Sequence, residues 1–267
     1  MNYNADYKKV ADYIEDIFKI YKKNPKLVLD LACGTGSLTI ELDKRGYDMI
    51  GLDLSPEMLS AANSANIENI ENMAGMKNNN KENKTNNILW TNQDMCDFEL
   101  YGTVDAVICC FDSLNYILEN KKIEKCFESV YNYLNPGGLF IFDVNTKYKF
   151  EHIYANNDIV LENETEDVFC FWRNCCNKYY KDNKKEITCD FYLTLFVMSN
   201  ETGYYRYYKR YDEKLKEKYY SPDYLKYILE KINFENINIY YDFSADKNNI
   251  KNKEKKKNRI CFAALKK

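Results

Sequence analysis

The sequence has little histidine and lacks the close cysteine spacing that is typical of metal centres. It has a single histidine, His152, in 267 residues, and its ten cysteines include no Cys-x-x-Cys pair. Zinc sites use closely spaced cysteines and histidines, so we expect no metal site. We interpret the cysteines as reduced and mostly buried thiols.

The sequence also has no long apolar run and shows no signal-peptide pattern in its first residues. No apolar stretch reaches the roughly 18–20 residues that cross a bilayer. The first residues lack the basic start and apolar stretch of a signal peptide. We therefore expect a cytoplasmic protein without a membrane partner. Its length allows one sizeable α/β domain with an inserted subdomain.

The sequence also lacks an excess of basic residues. The formal net charge is -3, so the chain has no overall field to hold a nucleic-acid backbone, and we do not expect a nucleic-acid partner. The densest basic run, residues 247–257, is interpreted as a solvated loop between two strands.

Glycine is sparse, and two of the nine glycines follow an apolar run directly. Gly34 and Gly36 come after residues 28–31, where glycine lets the backbone bend sharply and approach a ligand. Asp53 ends the next apolar run, about 20 positions on, where an acid can accept both hydroxyls of a ribose. The pattern predicts a nucleotide-binding half-site.

The turn lacks the features of two common nucleotide sites. Leu38 and Thr39 stand where a dinucleotide fingerprint needs its third glycine, and no Gly-Lys-Ser/Thr follows as in a P-loop. Asp30 precedes the turn and no cation lies in it. The turn therefore suits a ligand with a positive centre, such as a sulfonium.

Four blocks in order then resemble the class I S-adenosylmethionine-dependent methyltransferases. They are Asp-Leu-Ala-Cys-Gly-Thr-Gly (30–36), Gly-Leu-Asp-Leu-Ser-Pro-Glu-Met-Leu (51–59), Gln-Asp-Met (93–95) and Asn-Pro-Gly-Gly before Leu-Phe-Ile-Phe-Asp (135–143). Residues 109–117 and the aromatic second half resemble the bacterial YqeM-like branch, whose relatives include sugar N-methyltransferases. The resemblance is firmest over residues 26–143.

The resemblance and the apolar pattern together predict an α/β fold. We expect a Rossmann-like, seven-stranded, mostly parallel sheet with helices on both faces, plus an inserted antiparallel β-subdomain. Residues 1–145 would form the S-adenosylmethionine-binding domain, 146–220 the insert on the acceptor side, and 221–267 a helix and the closing strands. The asparagine-rich residues 63–87 are predicted to form a surface loop.

The individual elements follow from the same patterns. Predicted helices span 6–21, 37–45, 55–64, 121–134 and 221–232. Predicted strands of the main sheet span 26–31, 48–53, 88–91, 104–110, 138–143, 236–243 and 259–265, and those of the insert 167–180, 186–199 and 204–220.

The resemblance implies S-adenosylmethionine as the cofactor and assigns nine residues to it. Asp53 would receive the ribose, Asp94 and the Met95 backbone the adenine, and Asp30 the amino-acid end. Leu54 would lie against the adenine, although it could equally be ordinary core. The full set is Asp30, Ala32, Gly34, Gly36, Asp53, Leu54, Asp94, Met95 and Cys110.

The methyl acceptor is expected just past the predicted strand 104–110, where open α/β sheets place ligands. Asp112, Asn115 and Tyr116 are the candidates there, and Tyr116 could equally be a packed helix residue. Asn145 and Trp172 are weaker candidates. Methyl transfer needs an aligned acceptor and exclusion of water rather than a triad, so no catalytic residue is named.

Two aromatic features complete the expectations. Relatives carry an earlier Phe-Ala-x-x-Tyr-Asp-like segment over the cofactor. Here we expect either that Tyr3 or Tyr7 shares that covering or that the site stays more open and binds the cofactor weakly. Residues 204–211 are rich in tyrosine, and strand alternation would put Arg206 and Arg210 on the same face as Tyr204 and Tyr208. That strand could stack bases or a sugar, or form ordinary cross-strand aromatic pairs.

Three functions follow. The leading one is methyl transfer to nitrogen or oxygen of a small polar molecule. The second is methylation of an RNA such as tRNA, for which steep loss of activity with salt is expected. The third is a non-catalytic cofactor-binding protein that forms a homodimer through its aromatic insert.

Overall fold

The computed structural model describes residues 5–75, 88–155, 157–162, 167–181, 184–199, 207–246 and 256–267. The helices are α1 (Tyr7–Ile20), α2 (Ser37–Lys44), α3 (Pro56–Gly75), α4 (Asn120–Tyr133) and α5 (Pro222–Lys231), with a 3-10 turn at Ser113–Tyr116 and a π-helical segment at Lys149–Tyr154. None of these described helices has the length and apolar character needed to cross a membrane.

The strands form two sheets. They are β1 (Leu27–Leu31), β2 (Asp48–Asp53), β3 (Leu89–Asn92), β4 (Val104–Cys109), β5 (Leu134–Asn145), β6 (Asp158–Glu162), β7 (Val168–Lys181), β8 (Lys184–Ser199), β9 (Tyr207–Lys218), β10 (Phe234–Tyr241) and β11 (Arg259–Lys266). The first sheet has the order β10-β11-β5-β4-β1-β2-β3 and the second β6-β7-β8-β9.

The seven-stranded sheet confirms the predicted fold. Strands β1 to β5 pair in parallel, and β11 runs antiparallel to both β5 and β10. Successive side chains of its apolar strands enter opposite cores, so helices α1 and α2 cover one face and α4 and α5 the other. Strand order reverses between β1 and β4, which opens a crevice at their carboxyl ends.

The second sheet is the predicted antiparallel insert. Strands β7 to β9 correspond to the three predicted strands, whereas β6 and the π-helical segment were not predicted. The inner face packs on Phe150 and Tyr154 of that segment. The short β6 alternates exposed and half-buried residues. The division at residues 145 and 220 remains a prediction.

Two sequence expectations were wrong. Helix α3 runs to Gly75, so residues 65–75 are helical; its Ala, Glu and Met residues favour helix, and Asn66 is buried against the fold. The rest of the predicted loop, 76–87, lies outside the described residues.

The second correction concerns the thiols. Cys176 and Cys189 form a disulfide, because the β7–β8 register places them directly opposite with 4.0 Å between their Cα atoms. The other eight cysteines are free and six of these are buried.

Candidate functional site

A cleft of about 510 Å³ opens at the carboxyl ends of β1, β2 and β4, next to the point where strand order reverses. This is where open α/β sheets bind ligands. Its walls include Tyr7, Asp30, Ala32, Cys33, Gly34, Asp53, Leu54, Met58, Asp94, Met95, Cys110, Phe111, Ser113 and Tyr116. Eight of the nine residues predicted to bind the cofactor therefore line one cavity.

The turn after β1 is held open by Asp53. One carboxylate oxygen, Oδ2, accepts a hydrogen bond from the Gly34 amide at 2.8 Å, and Oδ1 accepts one from the Ser55 amide at 2.9 Å. Gly34 has a φ of +57°, and an added Cβ there would meet no atom within 4 Å. A carboxylate has about four acceptor positions, so Asp53 keeps capacity for a ligand on the cleft side.

Gly36 is the predicted cofactor residue that does not line the cleft. Its φ is +71°, and an added Cβ would lie 2.5 Å from Trp90 Cη2 and 2.9 Å from Ala62 Cβ. The glycine turn therefore rests on the Trp90 indole, and Gly36 is required for packing behind the turn rather than for contact with a ligand.

These two glycines give a matched pair of variants. We expect Gly36→Ala to lower the free energy of unfolding by about 2–5 kcal/mol, from a left-handed backbone and overpacking together. Gly34→Ala has the same backbone strain without the clash, so a loss of about 1–2 kcal/mol is expected. Urea unfolding of both variants measures the difference. Equal losses would contradict the packing role of Gly36.

Asp30 lies buried beneath the cleft floor. Its Oδ2 accepts a hydrogen bond from Thr39 Oγ1 at 2.6 Å. Burial raises the pKa of Asp30 to about 7, and the charge of Asp53 acts in the same direction while the Thr39 hydroxyl opposes it. The charge of this side of the cleft therefore changes near neutral pH.

The opposite wall is apolar and exposed. Leu54 is 68% exposed and Met58 46% exposed, which rules out an ordinary core role for Leu54. Asp94 Oδ1 accepts a hydrogen bond from the Cys96 amide at 2.8 Å and thereby fixes the loop that also carries Met95. These side chains offer a flat apolar surface with a carboxylate at its edge.

Only Tyr116 of the three acceptor candidates reaches the cleft. It is 38% exposed and lies with Phe111 and Ser113 on the wall. Asn115 is fully buried: its Nδ2 donates to the Lys218 carbonyl at 2.7 Å, and its Oδ1 accepts from the Asn145 amide at 2.9 Å. Its role is therefore to connect β5 with the end of β9.

Asp112 is likewise buried in an ion-pair network that the sequence did not predict. Arg259 Nη1 donates to Asp112 Oδ1 at 2.8 Å and to Asp143 Oδ2 at 2.6 Å. Asp143 also accepts hydrogen bonds from the amides of Phe111 and Asp112. Both of those residues have a φ near +60°, and such strain persists only where neighbours impose it. Asp143 and Arg259 thus fix the turn that bears Phe111.

The network continues into the insert. Asn145 Nδ2 lies 2.9 Å from Asp112 Oδ2 and 2.8 Å from Glu217 Oε2, and Lys149 Nζ donates to Asn145 Oδ1 at 2.8 Å. Burial raises the pKa of Glu217 to about 8, and the charge of Asp112 adds to the effect. Burial, followed by the charge of the Glu217 carboxylate, raises the pKa of Tyr116.

The structure describes one of the two tyrosines that were expected to cover the cofactor. Tyr7 lines the cleft and packs edge-on against Phe111, with 5.3 Å between ring centroids, while Tyr3 lies outside the described residues. Trp172 is half-buried, packs against the core of the second sheet and does not line the cleft.

The tyrosine-rich strand is described only from Tyr207 onward, so residues 204–206 lie outside the described residues. Tyr207 and Tyr211 are exposed, and Arg210 forms an ion pair with Asp212 at 2.9 Å.

Comparison with known proteins identifies the family. Residues 28–138 match the model of a methyltransferase domain. The Bacillus subtilis (strain 168) methyltransferase YqeM is 28% identical over 218 residues, covering 81% of this chain and 76% of YqeM. The glycine/sarcosine N-methyltransferase of Halorhodospira halochloris is 26% identical over 143 residues, covering 54% of this chain and 48% of that protein.

A solved structure extends the similarity to the whole chain. The crystal structure of an S-adenosylmethionine-dependent methyltransferase from Clostridium acetobutylicum ATCC 824 superimposes with a TM-score of 0.75 at 31% identity, covering 98% of this chain and 92% of the other. The cleft fits that cofactor, because the Gly34 turn leaves open space and the described wall carries carboxylates but no lysine or arginine. This chain belongs to the class I S-adenosylmethionine-dependent methyltransferases, in the YqeM-like branch.

Proposed function

We propose that this enzyme transfers a methyl group to nitrogen or oxygen of a small polar molecule. One observation carries the proposal: a single cleft runs from the glycine turn at Gly34 to Phe111 and Tyr116. Cofactor and acceptor can therefore share one cavity, which is a requirement of direct transfer. The glycine/sarcosine N-methyltransferase among the relatives supports a small acceptor.

The cofactor contacts we propose follow the cleft. The two free acceptor positions of Asp53 receive the ribose hydroxyls, and the exposed Leu54 covers the adenine. Asp94 accepts from the adenine amino group beside the Met95 backbone. Asp30 lies nearest the cationic, amino-acid end.

S-adenosylmethionine supplies the methyl group in an activated form, as a sulfonium whose S–CH₃ bond breaks with its electron pair remaining on sulfur. The chain's part is to orient the acceptor and exclude water. Tyr7 and Phe111 form an aromatic wall over the cleft, and the buried Cys110 closes its floor. The Arg259 network keeps Phe111 in place.

The charge of Asp30 makes cofactor binding dependent on pH. Its raised pKa, about 7, means that the carboxylate forms between pH 6 and 8. We expect the affinity for the cationic S-adenosylmethionine to rise over that range by up to about tenfold per pH unit. The affinity for S-adenosylhomocysteine should rise less, because its sulfur is uncharged. Calorimetric titration of both ligands at pH 6 and at pH 8 measures these affinities. In Asp30→Asn, the difference in affinity between the two pH values should disappear. The same pH dependence of binding in Asp30→Asn as in the wild type would contradict the assignment.

Turnover tests the proposed function directly. The full chain is incubated with S-adenosylmethionine labelled in the methyl group and a panel of small amines and hydroxyl compounds that includes glycine and sarcosine. We expect labelled product from a small acceptor and S-adenosylhomocysteine in equal amount. Methylation of tRNA alone, with activity that falls steeply with salt, would contradict the proposal, as would cofactor binding without transfer to any panel member.

A further inference from the structure

Asn92 is an exposed residue at the carboxyl end of β3 whose side chain reaches the rim of the cleft. Its Nδ2 donates to the backbone carbonyl of Asp53 at 3.0 Å and to that of Leu54 at 2.8 Å. The parallel pairing of β2 with β3 ends at Asp53 and Asn92, so this side chain extends the contact between the two strands beyond their pairing. Asn92 itself does not line the cleft.

The segment that Asn92 holds carries two of the proposed cofactor contacts. Asp53 is the last residue of β2, and its carbonyl also accepts a hydrogen bond from the Gln93 amide at 3.1 Å. Leu54 has left the strand, and its mostly exposed side chain lines the cleft. The Leu54 carbonyl is held by the side chain of Asn92, because the strand pairing stops one residue earlier.

We infer that Asn92 is a positioning residue for the cofactor. It fixes the Leu54 peptide, so that the Asp53 carboxylate and the Leu54 side chain face the cleft together before the cofactor binds. The inference rests on the proposed function, in which Asp53 receives the ribose and Leu54 covers the adenine. Asn92 acts through these two residues and does not touch the cofactor.

An asparagine amide suits this role because its nitrogen carries two donors. One nitrogen can therefore bond two successive carbonyls, as Nδ2 of Asn92 does. An aspartate has the same shape, but its ionised carboxylate only accepts hydrogen bonds and would repel both carbonyl oxygens. The substitution Asn92→Asp thus removes the donors while it keeps the shape of the side chain.

The contribution of Asn92 belongs to binding rather than to folding. Asn92 is exposed, so water can replace its hydrogen bonds when the side chain is removed, and substitutions at such positions change stability little. The four residue pairs between β2 and β3 are made by the backbone and remain. A mobile Leu54 peptide, by contrast, must be ordered each time the cofactor binds, and this loss of conformational entropy weakens affinity.

The test titrates Asn92→Ala and Asn92→Asp in the full chain with S-adenosylhomocysteine by calorimetry. We expect affinity to fall by about tenfold in Asn92→Ala, which corresponds to about 1.4 kcal/mol, and by at least as much in Asn92→Asp. In turnover of an acceptor from the panel, KM for S-adenosylmethionine should rise by a similar factor, while kcat at saturating cofactor stays that of the wild type. General damage to the structure would lower kcat as well.

Asn238 supplies a matched control at the opposite end of the same sheet. It is also exposed, and its Nδ2 also donates two hydrogen bonds, to the Tyr21 hydroxyl at 2.7 Å and to the Asn236 carbonyl at 3.0 Å. Asn238→Ala removes the same number of bonds outside the cleft, so it should keep wild-type affinity. The urea unfolding midpoints of both alanine variants should be almost unchanged.

Hydrogen exchange tests the same inference without a ligand. The Ser55 amide donates to Asp53 Oδ1, and this bond depends on the position of the Leu54 peptide between the two residues. Exchange of the Ser55 amide should therefore become faster by about tenfold in Asn92→Ala, whereas amides in the middle of β2 should keep their wild-type rates.

The outcomes separate the inference from the proposed function. Wild-type affinity together with wild-type exchange in Asn92→Ala overturns the inference alone. An equal loss of affinity in Asn238→Ala, or wild-type affinity in Asn92→Asp, also overturns the inference alone. Faster exchange in Asn92→Ala without a loss of affinity would mean that residues 53–54 do not meet the cofactor, and it overturns the inference together with the proposed contacts.

Discussion

Replacing Asp53 by alanine should weaken the binding of S-adenosylhomocysteine by about 100-fold or more. Each hydrogen bond to a charged group contributes about 1.5–3 kcal/mol, and 1.4 kcal/mol is a factor of ten in affinity. The variant loses two proposed bonds to the ribose, and it also frees the Gly34 and Ser55 amides that the carboxylate now holds. Calorimetric titration measures the loss.

The matched control lies on the same strand. Asp48 begins β2 at an exposed position outside the cleft, whereas Asp53 ends it inside. The Asp48→Ala variant should therefore bind S-adenosylhomocysteine with wild-type affinity. Circular dichroism should show the same fold for both variants, because Asp53 is at the strand end rather than in the core. Wild-type affinity in Asp53→Ala would overturn the assignment of the ribose site.

Replacing Arg259 by leucine should lower the free energy of unfolding by about 3–5 kcal/mol. The guanidinium is nearly buried and lies within 2.8 Å of both Asp112 and Asp143, and removal of one partner of a buried ion pair leaves uncompensated charge. The turn with positive φ at Phe111 would also lose its support. Urea unfolding at neutral pH measures the change.

An exposed arginine supplies the comparison. Arg173 pairs with Asp158 at 3.1 Å, but both side chains are mostly in solvent, so Arg173→Ala should leave the unfolding midpoint almost unchanged. Adding Asp112→Asn to Arg259→Leu should recover part of the lost stability, because one of the unpaired charges is then removed. A loss below about 1 kcal/mol in Arg259→Leu would mean that water reaches this network.

The cofactor half of the site could be predicted because the residues that form it lie close together in the sequence. The apolar strand β1 leads into the glycine turn, and the next strand, β2, ends in an acid. Parallel pairing of β1 with β2 places the turn and the acid side by side. Gly36 shows where prediction from neighbouring residues fails. Its partner, Trp90, comes from β3, and the sequence between them gives no sign that the indole lies beneath the turn.

The acceptor half depends on contacts far apart in the chain. Glu217 lies in a strand crowded with lysines and tyrosines, where charge predicts exposure, and only the docking of the insert buries it against Asn145. The sequence gave only a weak indication of the ion-pair network: Asp143 and Arg259 are each a charged residue at the end of an apolar strand. Cys176 and Cys189 could have been paired from the predicted hairpin if its register had been known.

A crystal structure of the enzyme with S-adenosylhomocysteine tests the account most directly. We expect the ligand in the cleft between Gly34 and Tyr116, with both ribose hydroxyls on Asp53, the adenine between Leu54 and Asp94, and the sulfur directed toward the Tyr116 end. A ligand bound outside this cleft, or in it with the ribose away from Asp53 and the sulfur turned from Tyr116, would contradict the account.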